Sequence, residues 1–317
     1  MYQKSHRGGG NQSIHSVSAL YSTSHYSDVE GFKQFAQGYG LPIPEISADG
    51  KIHRFQVEGD KRGTRNGWYV YFSYPVAAGA VGSWKTGESF TWCAKSTKHL
   101  TYAEREALRR QYQQARDQRA REHEQEQQAA AIKARAILQK ATPAQADHAY
   151  LLRKRMPADG LKVYKDSILA ELRDIHGTLH SLQFIKPDGG KFFLSNGRIK
   201  GVFHTFGSLE DSPVIYLAEG LATAATVHHW KQAPVLAAMN AGNLLPVALA
   251  VRQEYPTVQL VIAADNDRHN PAGNVGKLKA EEAARIVGGS VLLPEFPKGS
   301  TGTDWNDWFI ESGGVLP

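Results

Sequence analysis

The C-terminal part of the chain alternates short apolar runs with stretches of helical length. The apolar runs occupy residues 214–220, 233–240, 258–267 and 290–297, and the helical stretches between them occupy 221–231, 243–254 and 275–287. Strands that alternate with helices of this length predict a parallel sheet flanked by helices on both faces, because right-handed crossovers place the helices there. We therefore predict an α/β domain over residues 211–317.

The segment before this domain has a different pattern. Short runs that favour strands are followed by turn residues, and a helix is predicted at the start of the segment. The predicted helix covers residues 144–153, and the predicted strands cover 162–164, 168–174, 179–186 and 191–194. The pattern indicates a small α+β subdomain over residues 142–210.

A long polar stretch precedes this subdomain. Residues 101–141 contain no Gly or Pro and are rich in Ala, Gln, Glu and Arg, which predicts a long helix. Apolar residues are sparse until residue 129, so most of the helix is expected to be a solvated spacer. We interpret residues 99–141 as a helical linker.

The N-terminal region falls into two parts. Residues 1–40 are rich in Ser, His, Gly and Tyr, and are interpreted as a mobile arm with a short helix near 29–37. Residues 41–98 contain runs that favour strands at 51–57, 68–74 and 89–94, which predicts a small antiparallel β module. The Asn66-Gly67 pair predicts a tight hairpin turn, because both central residues of such a turn need positive φ.

A basic loop in this β module is a candidate contact for nucleic acid. Lys61, Arg62 and Arg65 precede the aromatic pair Trp68-Tyr69. Aromatic rings beside arginines can stack on the bases of single strands. We predict nucleic-acid contact for the three basic residues, and we expect the tryptophans of the module to pack in its core.

The composition of the chain excludes several classes of protein. The chain has 317 residues, is 41% hydrophobic and carries a net charge of +6, which excludes wholesale disorder and favours a polyanionic partner. The single cysteine excludes an internal disulfide and a zinc site with two or more thiolates, so no zinc is expected. No apolar stretch approaches the ~20 residues needed to span a bilayer, so we predict a cytoplasmic protein without a membrane partner.

Acidic residues follow two of the predicted parallel strands. Glu219 follows the first strand, and Asp265 and Asp267 end the third. Ligands bind beyond the carboxyl ends of strands in open parallel sheets, so these side chains should converge. Clustered carboxylates repel one another unless a divalent cation such as Mg²⁺ binds them. Asp304 and Asp307 form a further acidic cluster, which is explained equally well by helix capping and by metal binding.

These residues resemble a known family. The Glu219-Gly220 turn, the Asp265-Asn266-Asp267 triplet and their spacing are similar to a Toprim domain, the metal-binding module of DnaG-type primases, topoisomerases and OLD-type nucleases. AEGLATAATVHH, AADNDR and TDWNDW resemble the Toprim primases of conjugative plasmids and phages, the TraC-like group. The resemblance covers residues 43–310, and includes the small subdomain that precedes Toprim in primase cores. DnaG-type primases usually carry an Asp four residues after the Toprim Glu, where this chain has Thr223.

The resemblance implies a DNA primase that makes short RNA primers on single-stranded DNA from ribonucleoside triphosphates, for plasmid or phage replication. It implies Mg²⁺ or Mn²⁺ bound by the catalytic acids Asp265 and Asp267, with Glu219 as a further ligand or a general acid/base. Asp304 and Asp307 would be outer ligands. The basic residues of the upstream subdomain would hold the template or the nucleotide, and these are Lys186, Lys191, Arg198 and Lys200. A replicative helicase or polymerase would be supplied separately.

Two alternatives use the same features. A Toprim-type nuclease would cut DNA at the same metal site, and a non-catalytic factor would only bind nucleic acid. The primase-like subdomain favours a primase over a nuclease, because nucleases of this group pair Toprim with an ATPase. In residues 79–86, Trp84 replaces the glycine that a phosphate-binding loop needs before its lysine, and residues 273–278 have the wrong spacing, so we exclude ATP-motor chemistry.

Overall fold

The chain folds as two compact units, residues 1–122 and residues 123–317. The computed structural model describes residues 28–60, 63–74, 76–83, 86–95, 99–158, 160–270 and 273–315. The predicted arm up to residue 27 and the predicted contact residues Lys61 and Arg62 therefore lie outside the described residues. Within the described ranges, no helix is both long enough and apolar enough to cross a membrane.

Over its described residues, the first unit contains a four-stranded antiparallel sheet, one helix before the sheet and the first part of a long helix after it. The strands are β1 (His53–Phe55), β2 (Gly67–Phe72), β3 (Ala78–Ser83) and β4 (Ser89–Cys93), in the order β1-β2-β3-β4. Helix α1 covers residues 28–38, and helix α2 (Tyr102–Leu138) begins after the sheet. The predicted antiparallel β module is therefore confirmed, with β3 as a strand that the sequence analysis missed.

Helix α1 covers one face of this sheet. Phe32 is fully buried, and its ring lies 5.3 Å from the ring of Tyr71 and 5.6 Å from that of Trp92, centroid to centroid. The short helix predicted near 29–37 is thus present, and its buried side chains belong to the core of the module although they precede residue 40.

The predicted hairpin turn at Asn66-Gly67 is also wrong. Gly67 is the first residue of β2, where its backbone is extended. A Cβ at Gly67 would stand 2.7 Å from Val57 and 2.8 Å from Phe55, so glycine is needed for close packing and not for positive φ. Asn66 bonds the carboxylate of Asp60 through its backbone and its side chain, which fixes the preceding loop.

The long predicted helix is present, but it is a spacer only in its middle. In the first unit, Leu108 packs with Val76 and Ala78. In the second unit, Ala130 and Ala134 are buried against strand residues. The residues between are mostly exposed polar side chains, so the expectation of a solvated helix holds for that middle part only.

The second unit begins with a five-stranded antiparallel sheet. Its strands are β5 (Thr142–Pro143), β6 (Lys162–Tyr164), β7 (Ser167–Arg173), β8 (Leu179–Ile185) and β9 (Lys191–Phe193), in sequence order. Helix α3 (Ala149–Lys154) starts later than predicted, because Thr142-Pro143 pairs with β6 and the His148 ring caps the helix. The remaining strands lie within a residue or so of their predicted positions.

A mixed five-stranded sheet completes the second unit. Its strands are β10 (His204–Phe206), β11 (Val214–Ala218), β12 (Val235–Ala237), β13 (Gln259–Ala263) and β14 (Ser290–Leu292), in the order β10-β12-β11-β13-β14. Its helices are α4 (Leu221–Lys231), α5 (Leu244–Glu254), α6 (Val275–Val287) and α7 (Trp305–Glu311), with a 3₁₀ helix at Ala241–Asn243.

The predicted parallel sheet with helices on both faces is confirmed. β11, β12, β13 and β14 are parallel, and the unpredicted edge strand β10 is antiparallel to β12. Helix α4 is buried in the core on one face, whereas α5 and α6 are buried in the core on the other. The carboxyl ends of the parallel strands thus form a single edge, which is where the acidic residues begin.

Candidate active site

The register of two central strands brings the first acids together. β11 and β13 are neighbours, and Ala218 lies opposite Ala263. Glu219 and Asp265 follow these two residues by one and two positions, so both stand at the carboxyl edge of the sheet. Ala264 continues the pairing, since its N–H donates to Leu292 O at 2.9 Å.

Asp265 is the most perturbed acid at this edge. Burial, and then the carboxylates of Asp304 and Glu219, raise its pKa from an ordinary 3.8 to about 8. Its Oδ1 is buried and has no hydrogen-bond partner. A buried carboxylate oxygen without a donor is costly, which indicates that this atom is built to receive a ligand.

Glu219 experiences the same repulsion. Burial first, and then the charge of Asp267, raise the pKa of the Glu219 carboxyl. The N–H of Ala241, at the start of the 3₁₀ helix, donates to the Glu219 carboxylate and acts in the opposite direction. The glutamate therefore lies among like charges with one backbone N–H directed at its carboxylate.

The start of α6 lies against both aspartates. A Cβ at Gly276 would stand 3.2 Å from Asp265 Cβ and 3.4 Å from Asp267 Oδ2. Asn274 caps this helix, and its Oδ1 accepts from the N–H of Asp267 at 3.1 Å and from that of Lys277 at 3.2 Å. The glycine leaves room for the carboxylates, and the cap fixes the loop that carries them.

Asn266 has a structural part in this loop. Its backbone N–H donates to Thr303 O at 2.6 Å, and its Nδ2 donates to Pro294 O at 2.9 Å. These bonds join the segment after β13 to the segments that follow β14. They therefore anchor the backbone between Asp265 and Asp267.

The second acidic cluster caps helix α7. Asp304 Oδ1 accepts from the N–H of Asp307 at 2.8 Å, as an N-cap does. Burial, and then the charge of Asp307, raise the pKa of the Asp304 carboxyl. Asp307 in turn accepts from Lys154 Nζ at 3.2 Å and from the N–H of Thr303 at 3.2 Å. Capping therefore accounts for part of what both acids do, and metal binding by them stays a prediction.

Helix α7 is fixed to the same edge by its own side chains. Trp305 Nε1 donates to Leu292 O at 3.2 Å. Asn306 is fully buried, and its Nδ2 donates to Lys154 O at 2.8 Å and to Thr226 Oγ1 at 2.9 Å. These contacts place Asp304 close enough to Asp265 to raise the pKa of the latter.

Comparison with known families agrees with this geometry. The Toprim domain family matches residues 214–314. Residues 214–314 form a Toprim domain.

The similarity to known proteins extends beyond the Toprim domain. Two Escherichia coli proteins named DNA primase TraC are each 33% identical to this chain, one over 265 residues (79% of this chain and 24% of the relative) and the other over 262 residues (78% and 18%). The chain thus spans about a quarter or less of the length of these curated relatives. The primase fragment of the bacteriophage T7 primase-helicase is a similar structure, with 20% identity, a TM-score of 0.36 and coverage of 49% of this chain and 61% of that one.

One predicted basic residue acts on the acids of the Toprim domain. Lys191, on β9 of the preceding subdomain, lowers the pKa of both Glu219 and Asp265. Its exposed side chain therefore brings a positive charge to the cluster.

Lys154 is a basic residue of this site that sequence reasoning missed. It comes from the end of α3, pairs with Asp307 and lowers the pKa of Asp304. Nothing in the sequence distinguishes it from an ordinary lysine in the last turn of a helix.

The other predicted basic residues that the structure describes make contacts of their own or are exposed. Arg198 donates from Nε to Lys200 O at 3.0 Å, and it lines a cavity of about 410 Å³ with Arg135 and His180. Lys186 lies over the Phe192 ring at 5.9 Å, and Lys200 is exposed. Arg65 is exposed in the first unit.

The donor set of the Toprim domain fits a hard cation. Among the residues that the structure describes, no three His, Cys, Asp or Glu side chains are arranged as a ready-made metal site. Even so, the donors at the edge are carboxylates, which are the ligands that Mg²⁺ and Mn²⁺ prefer. The buried, unpartnered Oδ1 of Asp265 is the atom at which such an ion would relieve the largest repulsion.

Proposed function

We propose that this chain is a DNA primase that synthesises short RNA primers on single-stranded DNA by nucleotidyl transfer. The observation that carries the proposal is the 33% identity to DNA primase TraC over 265 residues, which extends well beyond residues 214–314. It includes the subdomain that contributes Lys191 to the acidic edge.

We propose that Glu219, Asp265 and Asp267 hold a divalent metal ion, with Asp304 and Asp307 as outer ligands. Toprim primases in general depend on such a metal, and for this chain we propose Mg²⁺ or Mn²⁺. When bound, the ion would neutralise the carboxylates, favour ionisation of the attacking 3′-hydroxyl and stabilise the charge on the leaving pyrophosphate.

The residues of the chain would orient the charged groups. Ala241 holds the Glu219 carboxylate through its N–H, and the Asn274 cap fixes the backbone of Asp267. Lys191 would hold a nucleotide phosphate beside the acids, because an ammonium in this place attracts an anion that the carboxylates repel. Lys154 keeps the Asp307 carboxylate turned toward α3.

The substrates would be single-stranded DNA and ribonucleoside triphosphates. The remaining basic residues predicted from the sequence would contact template phosphates without selecting bases. They are Lys186, Arg198 and Lys200 in the second unit, and Lys61, Arg62 and Arg65 in the first. A replicative helicase or polymerase would be supplied separately, and plasmid or phage replication would be the setting.

Incorporation of labelled ribonucleotides on several single-stranded templates, with Mg²⁺ or Mn²⁺, tests the proposal. We expect short RNA products that depend on template and metal. Nicking of plasmid DNA without RNA synthesis would assign the site to a nuclease instead. Template binding with neither reaction would identify a non-catalytic factor.

A further inference from the structure

Helix α3 meets the start of α7 through side chains on one of its faces. Lys154 Nζ donates to Asp307 Oδ1 at 3.2 Å, and Lys154 O accepts from Asn306 Nδ2 at 2.8 Å. Tyr150 precedes Lys154 by four residues, so the two side chains lie on the same face of α3. Tyr150 and Trp305 of α7 belong to one buried core cluster. Tyr150 is therefore on the side of α3 that meets the segment carrying the second pair of acids.

The hydroxyl of Tyr150 is buried without a hydrogen bond. The residue is 2% exposed, and its hydroxyl has no hydrogen-bond partner among the residues that the structure describes. The guanidinium of Arg153 lies over the aromatic ring, 5.6 Å from its centroid, and this contact involves the ring and not the hydroxyl. A buried phenol without an acceptor is costly, so its place in the core requires an explanation.

Asp304 is the acid whose charge acts on this hydroxyl. Burial, and then the charge of Asp304, raise the pKa of Tyr150 to about 12, so the phenol keeps its proton and remains a donor. A carboxylate has about four acceptor sites. The N–H groups of Asn306 and Asp307 donate to the Asp304 carboxylate, which leaves acceptor capacity for a hydroxyl. The terminal torsion of an aspartate is broad, so this carboxylate can turn without a change in the backbone.

We propose that Tyr150 is a positioning residue of the acidic edge, whose hydroxyl donates a hydrogen bond to the Asp304 carboxylate and holds it toward a bound divalent cation. The inference rests on the proposed metal site and adds to it a side chain of the preceding subdomain. Carboxylates that bind metal ions are themselves hydrogen-bonded, and these partners orient them. A neutral phenol can do this without adding a positive charge that would compete with the cation.

Binding of Mn²⁺ to the full-length chain, measured by calorimetry, tests the inference without requiring activity. Tyr150→Phe keeps the ring and removes the hydroxyl, so it should weaken Mn²⁺ binding about tenfold or more. With a chelator present, the same variant should unfold at the wild-type temperature or above it, because the hydroxyl that it removes is buried without a partner. A lower unfolding temperature with unchanged Mn²⁺ affinity would indicate a structural role and overturn the inference.

Tyr71 provides a matched control in the first unit. It is fully buried, and within the described part of the chain its hydroxyl also has no hydrogen-bond partner. Burial, and then the charge of Asp28, raise its pKa to about 12 as well. Tyr71→Phe should therefore leave the unfolding temperature unchanged or raise it, and should bind Mn²⁺ as the wild type does. Equal weakening of Mn²⁺ binding in the two tyrosine variants would refute the role of Tyr150.

Two further results separate this inference from the proposed function. Asp304→Ser keeps a residue that caps helices but removes the carboxylate, so it should weaken Mn²⁺ binding, and wild-type affinity in this variant would overturn the inference. If no chain, the wild type included, binds Mn²⁺ saturably, the proposed metal site fails and the inference fails with it. If the wild type and Tyr150→Phe bind Mn²⁺ equally well, the inference alone is lost.

Discussion

The sheet of the Toprim domain and the sheet of the first unit place charged and aromatic side chains in opposite ways. In the Toprim domain, charged side chains follow the ends of buried strands, and burial raises the pKa of Asp265 to about 8. In the first unit, Arg54 and Trp68 lie within strands, on a face that is partly open to solvent. The first arrangement stores electrostatic repulsion that a cation can relieve. In the second, Arg54 is exposed and Trp68 is half-buried, so neither side chain carries a comparable cost of burying charge.

The comparison predicts that the largest effect comes from the buried edge. Asp265→Asn should lower ribonucleotide incorporation by about a hundredfold or more, because the amide cannot supply the negative charge that a cation needs. DNA binding should change little. The matched control is Asp211→Asn, which makes the same change at an exposed turn before β11. An Asp265→Asn chain that remains fully active would remove the metal role.

The same repulsion should appear as a dependence of stability on pH. Folded Asp265 keeps its proton up to about pH 8, whereas the unfolded carboxyl loses it near 3.8. Between these pH values the folded state binds more protons than the unfolded state. The contribution of Asp265 to the free energy of unfolding therefore falls as pH rises. In the presence of a chelator, the free energy of unfolding of Asp265→Asn should be higher than that of the wild type by about 2 kcal/mol at pH 8. This difference should shrink toward pH 4. Urea unfolding at both pH values checks this, and a difference independent of pH would argue against the buried charge.

A smaller effect is expected from Lys191, whose charge lowers the pKa of two of the acids. Lys191→Gln removes a charge that lowers the pKa of Glu219 and Asp265, so both acids should ionise at higher pH. Incorporation should fall about tenfold at neutral pH and recover in part as pH rises. The control is Lys165→Gln, in the exposed turn between β6 and β7. Equal pH profiles for the two variants would exclude Lys191 from the site.

The smallest effect concerns the loop that the sequence analysis interpreted wrongly. Asn66→Ala removes the side-chain hydrogen bond to Asp60 and should lower the free energy of unfolding by about 1 kcal/mol. Asn66→Gly would suit a positive-φ turn, but here it should cost at least as much. Thermal unfolding of both variants distinguishes the two cases. A stabilised Asn66→Gly would restore the hairpin interpretation.

Much of the Toprim domain could be predicted from the sequence. Parallel strands are buried on both faces and give continuous apolar runs, so an acid directly after such a run is conspicuous. Glu219 and Asp265 were visible for this reason. Their register and the unpartnered Oδ1 of Asp265 required the structure, because both depend on which strands are neighbours.

The first unit was harder to predict for physical reasons. Its β3 strand is built from small residues, so periodicity gave no signal for it. Asn66-Gly67 matched a turn motif, although close packing against Phe55 explains the glycine. The prediction places Trp68 in the core, whereas it is half-buried with its ring against Gly82 of the neighbouring strand, a contact that only the strand register reveals. Lys154 acts through a partner 153 residues away in sequence, which no local pattern reveals.

Binding of Mn²⁺, followed by calorimetry or electron paramagnetic resonance, tests the central claim most directly, because it does not require activity. The wild type and Asp211→Asn should each show saturable binding, with proton release near pH 7 as Asp265 ionises. Asp265→Asn should lose most of this binding while staying folded. Equal Mn²⁺ affinity in all three chains would contradict the claim that these carboxylates meet around one cation.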